Sequence, residues 1–262
     1  MNAGRFTRRK IFAALGMTGL GAVGAAWSPK NAHSQVANLS LSGPYLDVGT
    51  AAGALLARAR VSGNIDPSKR RFDFFDGQVM AVAPNGNVVP FAGIRGWIET
   101  DLQQDDRGWR RRRSIFGTYY DRTTGMSLVE FHNPFNGDMV TVEHLSGTAT
   151  EDWLDVAQSG HWSKNGDNFD FQDSAQICLQ SDGSLEGPGA YCVTSHSGAI
   201  ADLQNQELTT VKDRGVLMIV AGWLPWLKMG RAPGHCLFQC ERVGGFERVS
   251  ELPISSGATR HA

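Results

Sequence analysis

The 262-residue sequence is poor in cysteine, with four residues, and only 19% of it is charged. It also lacks the short motifs that most enzymes of known chemistry carry. There is no HExxH, no HxH and no Cys/His cluster, so the closely spaced ligands of a zinc site are missing. There is no nucleophile elbow, no phosphate-cradling glycine loop and no dinucleotide fingerprint after a strand. The run GLGAVG, Gly19 to Gly24, sits in an N-terminal apolar stretch and is an accident of composition. Ser195 and His196 are adjacent in sequence, which is not the spatial arrangement of a triad. No internal repeat and no low-complexity linker divides the chain. These absences point away from metal, nucleotide and covalent chemistry and call for no cofactor.

The first 34 residues stand apart. Arg5, Arg8, Arg9 and Lys10 precede an apolar, Gly- and Ala-rich run from Ile11 to Ala26, and Ala32-His33-Ser34 offers small residues for cleavage. This is the pattern of a secretory signal, and the Arg8-Arg9 pair points to twin-arginine export. The sequence therefore predicts a periplasmic or secreted protein that meets an export translocase through its signal only. Five of the 25 basic residues and no acidic residue lie in that stretch, leaving a net charge of about −6. Nucleic acid is a poor partner for such a charge. Beyond the signal, no segment is long and apolar enough to span a bilayer as a helix. The one basic cluster, RGWRRRR from Arg107 to Arg113, reads as an exposed strand face.

In an oxidising compartment Cys178, Cys192, Cys236 and Cys240 permit disulfides. Cys236 and Cys240, in CLFQC, would share one face of a strand too far apart to bond each other. Cross-strand bridges and buried free thiols both remain open.

What the sequence does contain is strands and turns. A short helix is expected within Asp47 to Asn64, with Thr50 as its cap and Gly63 at its close. From Phe72 onward short apolar runs alternate with Asn-Gly turns at Asn85-Gly86, Asn136-Gly137 and Asn165-Gly166. About ten strands with little helix predict a mainly β fold. A single antiparallel barrel-like domain, lipocalin-like or related, is preferred because closure removes edges and leaves room for a ligand; a sandwich is second choice. The expected division is 1–34 signal, 35–71 N-terminal segment with the helix, 72–255 barrel-like domain and 256–262 flexible tail.

Two segments concentrate chemistry. In the first, Tyr119 and Tyr120 must point to opposite faces, so one at most enters an interior and can move a proton. His132 is two residues from Glu130 on one face. Whether His144 joins His132 depends on the hairpin register, an even sum of paired residue numbers placing both on one side. Asn133, before Pro134, is held extended and suits backbone bonding at a turn. In the second, GWLPWLKMGRAPGHC, Trp223, Trp226 and Met229 could wall a pocket for a flat ring. Lys228 and Arg231 could stabilise a developing oxyanion, or else snorkel to water. Tyr119, Tyr120, His132 and Lys228 are thus the catalytic candidates. Asn133, His144, Trp223, Trp226, Met229 and Arg231 are the substrate-binding candidates.

The same two segments resemble a bacterial family known as domain of unknown function 1838, whose members often carry export signals. The first likeness is Tyr119-Tyr120-Asp121, Thr124-Gly125, Asn133-Pro134, Gly137-Asp138 and the valine-rich strand to His144. The second is Pro225 to Gly230 followed by Pro233-Gly234. The chain departs from the family pattern at Phe131-His132 and at LSGTATEDW after His144. The resemblance implies a β-rich exported protein and marks two segments, without a reaction. Together with the residues it leads to one expectation: a hydrophobic, oxygenated, aromatic small molecule is the ligand. Either a cofactor-independent lyase or isomerase acts on it, or a non-catalytic carrier or sensor holds it.

Overall fold

A computed structural model of the chain describes residues 41–106, 108–154, 161–177 and 190–253, the side chains of 148–150 and 175–177 excepted. All of them lie in one compact unit, Leu39–Ala262. The signal expected over 1–34 and the tail over 256–262 fall outside the described residues.

Helix α1 is Ala51–Ser62. It starts where it does because the Thr50 hydroxyl accepts the Gly53 N–H at 3.1 Å, relieving an amide with no partner in the first turn. Gly63 ends it. Nine strands then form one antiparallel sheet: β1 (Arg71–Val82), β2 (Val88–Asp105), β3 (Gly108–Tyr120), β6 (Leu145–Leu154), β7 (His161–Asn165), β8 (Asn168–Ile177), β9 (Ala190–Ala199), β10 (Asp213–Ala221) and β11 (His235–Phe246). The spatial order is β6-β3-β2-β1-β11-β10-β9-β8-β7, while β4 (Glu130–His132) and β5 (Met139–Thr141) make a separate hairpin. A five-residue helix α2, Ile200–Gln204, follows β9.

The mainly β class is what the alternating pattern predicts. Among the described residues closure into a barrel is not observed: β6 and β7 end the sheet and do not pair with each other. The reason lies in α1. Its Ala59 packs with Leu102, Trp109 and Leu154 of β2, β3 and β6, and its Ala57 and Val61 pack with Phe169 and Phe171 of β8. One helix therefore covers apolar residues from both ends of a curled sheet. Leu41, Leu46, Ala57 and Val61 share a core cluster with Phe169 and Phe171, and β1 begins at Arg71.

The turns form as expected, with one difference. Positive φ falls on Gly86, Gly137 and Gly166 at +83 to +85° and +60°, and on none of the asparagines. Asn85 and Asn136 contribute through their side chains instead, each accepting the N–H two residues on at 3.0 Å, as Asx turns do.

The basic cluster corrects its reading as an exposed face. Arg110 and Arg112 are exposed, but Arg111 is buried between Asp173 (2.7 Å) and Asp152 (2.6 Å). Strand alternation turns every second arginine inward, where carboxylates distant in sequence await it. Arg58 of α1 also reaches Asp173 at 2.7 Å, so this carboxylate ties α1 and β3 to β8. A second buried network joins Arg71, Asp73, Asp213, Arg242 and His196. Gly244 must be glycine for it: a Cβ there would stand 2.1 Å from Asp73 Oδ1 and 2.3 Å from the Arg242 guanidinium.

Cys192, Cys236 and Cys240 are buried free thiols; Cys178 lies outside the described residues. Burial raises the Cys236 and Cys240 thiols to about 12, so neither is a nucleophile at neutral pH. No helix among the described residues is long and apolar enough to cross a membrane.

Candidate functional site

Tyr119 is the residue around which a site can be built. It is the penultimate residue of β3, beside Ile94 of β2, and is fully buried, whereas Tyr120 turns to the opposite face. Trp226 belongs to the short 3-10 turn Pro225–Leu227, which Pro225 opens and which the Pro225 carbonyl closes on Lys228 N–H. The Tyr119 and Trp226 rings meet edge to face at 5.3 Å.

Three more rings complete the wall. Phe131, on the β4–β5 hairpin, lies 5.7 Å from Trp226. Phe91 contacts Phe131 and Trp226 at 5.8 and 6.3 Å. Phe91 is the extra residue of a β-bulge, since Val79 pairs with Ala92 and Met80 with Pro90. Bulges re-aim side chains, and Pro90, with no N–H to give the ladder, suits the irregular position. Phe135 joins Phe91 to Trp223 at 5.9 and 5.6 Å.

Asn133 locks the two segments together. Fully buried, it donates from Nδ2 to Leu227 O at 2.7 Å and contacts Met229 Sδ at 3.4 Å, while its Oδ1 accepts Phe135 N–H at 2.9 Å. Both ends of the amide are engaged, so Asn133 positions the ring cluster and has little left for a ligand. Trp223 likewise pins its loop, its Nε1–H donating to Ala232 O at 2.9 Å.

His144 stacks on Tyr119 at 6.1 Å and accepts the Tyr119 backbone N–H at Nδ1, 3.1 Å away. An accepting Nδ1 places the neutral ring's proton on Nε2, which faces Ser127 Oγ at 3.2 Å. This Ser–His pair is wired the wrong way for a nucleophile, because Nε2 gives a proton rather than taking one. Burial lowers the His144 pKa and keeps it neutral.

The other candidates lie elsewhere. Glu130 pairs with Thr141 and His132 with Met139; these are odd sums, so the register separates His132 from His144, and His132 is exposed. Lys228 and Arg231 are exposed, Lys228 in left-handed backbone at φ 52° after the 3-10 turn. The apolar members of that loop fill the core while its cations reach water. Tyr120 donates to Asp76 Oδ1 at 2.7 Å with Arg95 over its ring at 4.8 Å. Burial and the Asp76 carboxylate push its phenol up to about 12. The structure thus gathers Tyr119, Asn133, His144, Trp223, Trp226 and Met229, and leaves Tyr120, His132, Lys228 and Arg231 outside.

Two polar atoms in this ring cluster have no partner. The Tyr119 hydroxyl and Trp226 Nε1 are both buried without a hydrogen bond, on side chains 0% and 4% exposed. Burial drives the Tyr119 phenol far up; the neighbouring Trp226 N–H pulls slightly the other way without completing a bond to it. Tyr119 is therefore a neutral donor at any physiological pH. Each orphaned group costs about 1–3 kcal/mol unless something else satisfies it.

Sequence reasoning missed Phe91 and Phe135 and named Phe131 only as a departure from the family pattern; the bulge and the hairpin register were the remaining signals. It also missed the buried Arg/Asp networks, whose members are far apart in the chain. Among the described residues no cluster of three His, Cys, Asp or Glu could hold a metal ion. No protein-family model, no curated protein and no solved structure matches this chain.

Proposed function

We propose that this is an exported protein that binds a hydrophobic, oxygenated, aromatic small molecule in the chamber around Tyr119 and Trp226. The observation that carries the reading is the pair of buried, unpartnered polar atoms among a cluster of rings. Apolar walls with a few convergent polar groups are how small-molecule sites are built, and both groups gain a partner when a ligand oxygen arrives. The paired arginines at Arg8-Arg9 support export to the periplasm. The reach of Arg111 on β3 to Asp173 on β8 supports a barrel-like curl of the sheet with the chamber at the end away from α1. The likeness to the domain of unknown function 1838 family is consistent with an exported β protein.

Thermal-shift measurement against a set of aryl ketones, phenols and aryl ethers tests the proposal. Several members should raise the melting temperature in a concentration-dependent way, and the Trp226→Leu variant should lose that response. A set that shifts nothing in the wild type removes the reading.

Acid–base catalysis by a lyase or isomerase is the second reading, favoured by the neutral Tyr119 phenol as a general acid. His144 cannot serve as the matching base at Nδ1 without abandoning the Tyr119 N–H. Binding without turnover is therefore the arrangement this chamber fits better. Product mass after incubation separates the two: an altered ligand supports catalysis, and unaltered ligand at saturating protein supports the carrier.

A further inference from the structure

The sequence holds three Asn-Gly pairs, Asn85-Gly86, Asn136-Gly137 and Asn165-Gly166, and all six residues are exposed. Such a pair carries its own chemistry. The asparagine Cγ is an electrophile, and the next main-chain nitrogen, unshielded because glycine has no Cβ, is a nucleophile that can reach it. The attack is slow while either group is held by a hydrogen bond, and the fold holds the three pairs differently.

At the first pair both groups are held. Asn85 Oδ1 accepts the Asn87 N–H at 3.0 Å, and the Gly86 N–H donates to the Ala83 carbonyl at 2.9 Å. The second pair repeats the arrangement: Asn136 Oδ1 accepts the Asp138 N–H at 3.0 Å, and the Gly137 N–H donates to the Asn133 carbonyl at 2.9 Å. A bonded amide gives up its proton less readily, and a pinned side chain must break its bond before Cγ can swing to the nitrogen. The third pair has neither restraint. Among the described residues no hydrogen bond holds the Asn165 side chain, and the Gly166 N–H has no acceptor. Asn165 is fixed only through its ladder pairing with Asn168, beside a turn in which Gly166 has φ 60°. Strand β7 is five residues long, mostly exposed, and ends the sheet, so this tip opens more easily than a central hairpin.

We propose that Asn165 is a self-modification site, the position at which this chain ages first. The Gly166 nitrogen gives up its proton and bonds to Asn165 Cγ. The Cγ–Nδ2 bond breaks and Nδ2 leaves as ammonia, carrying that proton, which closes a five-membered succinimide. Water then opens the ring. Cleavage of the nitrogen's bond to Cγ gives aspartate, and cleavage of its bond to the Asn165 main-chain carbonyl carbon gives isoaspartate, with the chain routed through Cγ. Isoaspartate inserts one extra carbon between β7 and β8. The Asn165–Asn168 pair then loses its register, and β7, which pairs with β8 alone among the described strands, loosens from the sheet.

The test follows the three pairs separately by peptide mapping after the folded protein has stood in mildly alkaline buffer made with heavy-oxygen water. Asn165 should convert roughly tenfold faster than Asn85 or Asn136, the worth in rate of the two hydrogen bonds that those pairs must break. In guanidinium chloride the three should convert at similar rates, since no fold then distinguishes them. Asn165→Gln should remove the early product, because glutamine would need a six-membered ring, and leave the other two rates unchanged. Hydrogen exchange should show protection lost in β7 of the aged wild-type protein before the rest of the sheet, and kept in aged Asn165→Gln.

Asn85 or Asn136 converting as fast as Asn165 in the folded protein overturns the assignment. An Asn165 lead that persists undiminished in guanidinium chloride overturns it too, because neighbouring residues rather than the fold would then set the order. Intact β7 protection in fully converted protein overturns the loosening of the strand while leaving Asn165 as the modification site.

Discussion

Asn133 shows how much one side chain decides here. Its amide holds the Leu227 carbonyl and the Phe135 N–H at once, so it fixes the 3-10 turn against the β4–β5 hairpin. Asn133→Ala should cost about 1–3 kcal/mol, the penalty for leaving a buried carbonyl unpaired, and loosen the packing of Trp226. Urea denaturation followed by tryptophan emission reads both effects; an unchanged midpoint would mean the contact holds nothing. Asp173 is the more extreme case. It binds Arg58 and shares Arg111 with Asp152. Asp173→Ala removes the carboxylate between two buried guanidinium groups and should destabilise by about 3–5 kcal/mol, measured by the same denaturation.

At the scale of elements, the hairpin turns separate backbone geometry from packing. Gly86 has φ +85° and nothing within 4 Å of where a Cβ would stand. Gly86→Ala should therefore cost about 1–2 kcal/mol from the left-handed backbone alone, with the sheet otherwise unchanged and chamber binding unaffected. A loss of several kcal/mol would show that the β1–β2 turn carries more than its own conformation. The bulge at Phe91 is the converse. Its value is not in the turn or the ladder but in delivering a ring to Trp226, and the alternation that predicts the rest of β2 fails there because one extra residue shifts the phase. The β4–β5 hairpin makes the same point: the sequence left its register open, and only the observed pairing of Phe131 with Val140 turns Phe131 to Trp226 and His132 to solvent.

For the whole molecule, the charged groups inside the sheet set the response to pH. Burial lowers His144, His196 and His235 below the ordinary histidine value of 6.5. The unfolded chain therefore takes up protons in acid before the folded one does, so stability should fall as pH drops below about 6.5. Asp173 and Asp213, despite their burial, are held far below the usual carboxylate range by Arg111 with Arg58 and by Arg242 with Arg71. Their contribution is present above the unfolded carboxylate pKa of about 4 and is lost as pH falls further. Urea midpoints between pH 8 and pH 3 should show these two successive losses. A midpoint that stays constant from pH 7 to pH 5 would contradict neutral, buried histidines.

Residue order by itself determined the local grammar of this protein. It specified helix α1 with its Thr50 cap, the strands by their alternation, the turns by their Asn-Gly pairs, and the opposite faces of Tyr119 and Tyr120, because each of these depends on neighbours within a few positions. Tertiary structure decided everything that joins distant positions: Arg111 against Asp173, Asn133 against Leu227, α1 laid across an unclosed sheet, and Tyr119 beside Trp226 with two donors left over. Those choices follow from how the whole sheet curls, and curl is a sum over every strand pair and every buried contact. No short stretch of sequence carries that sum.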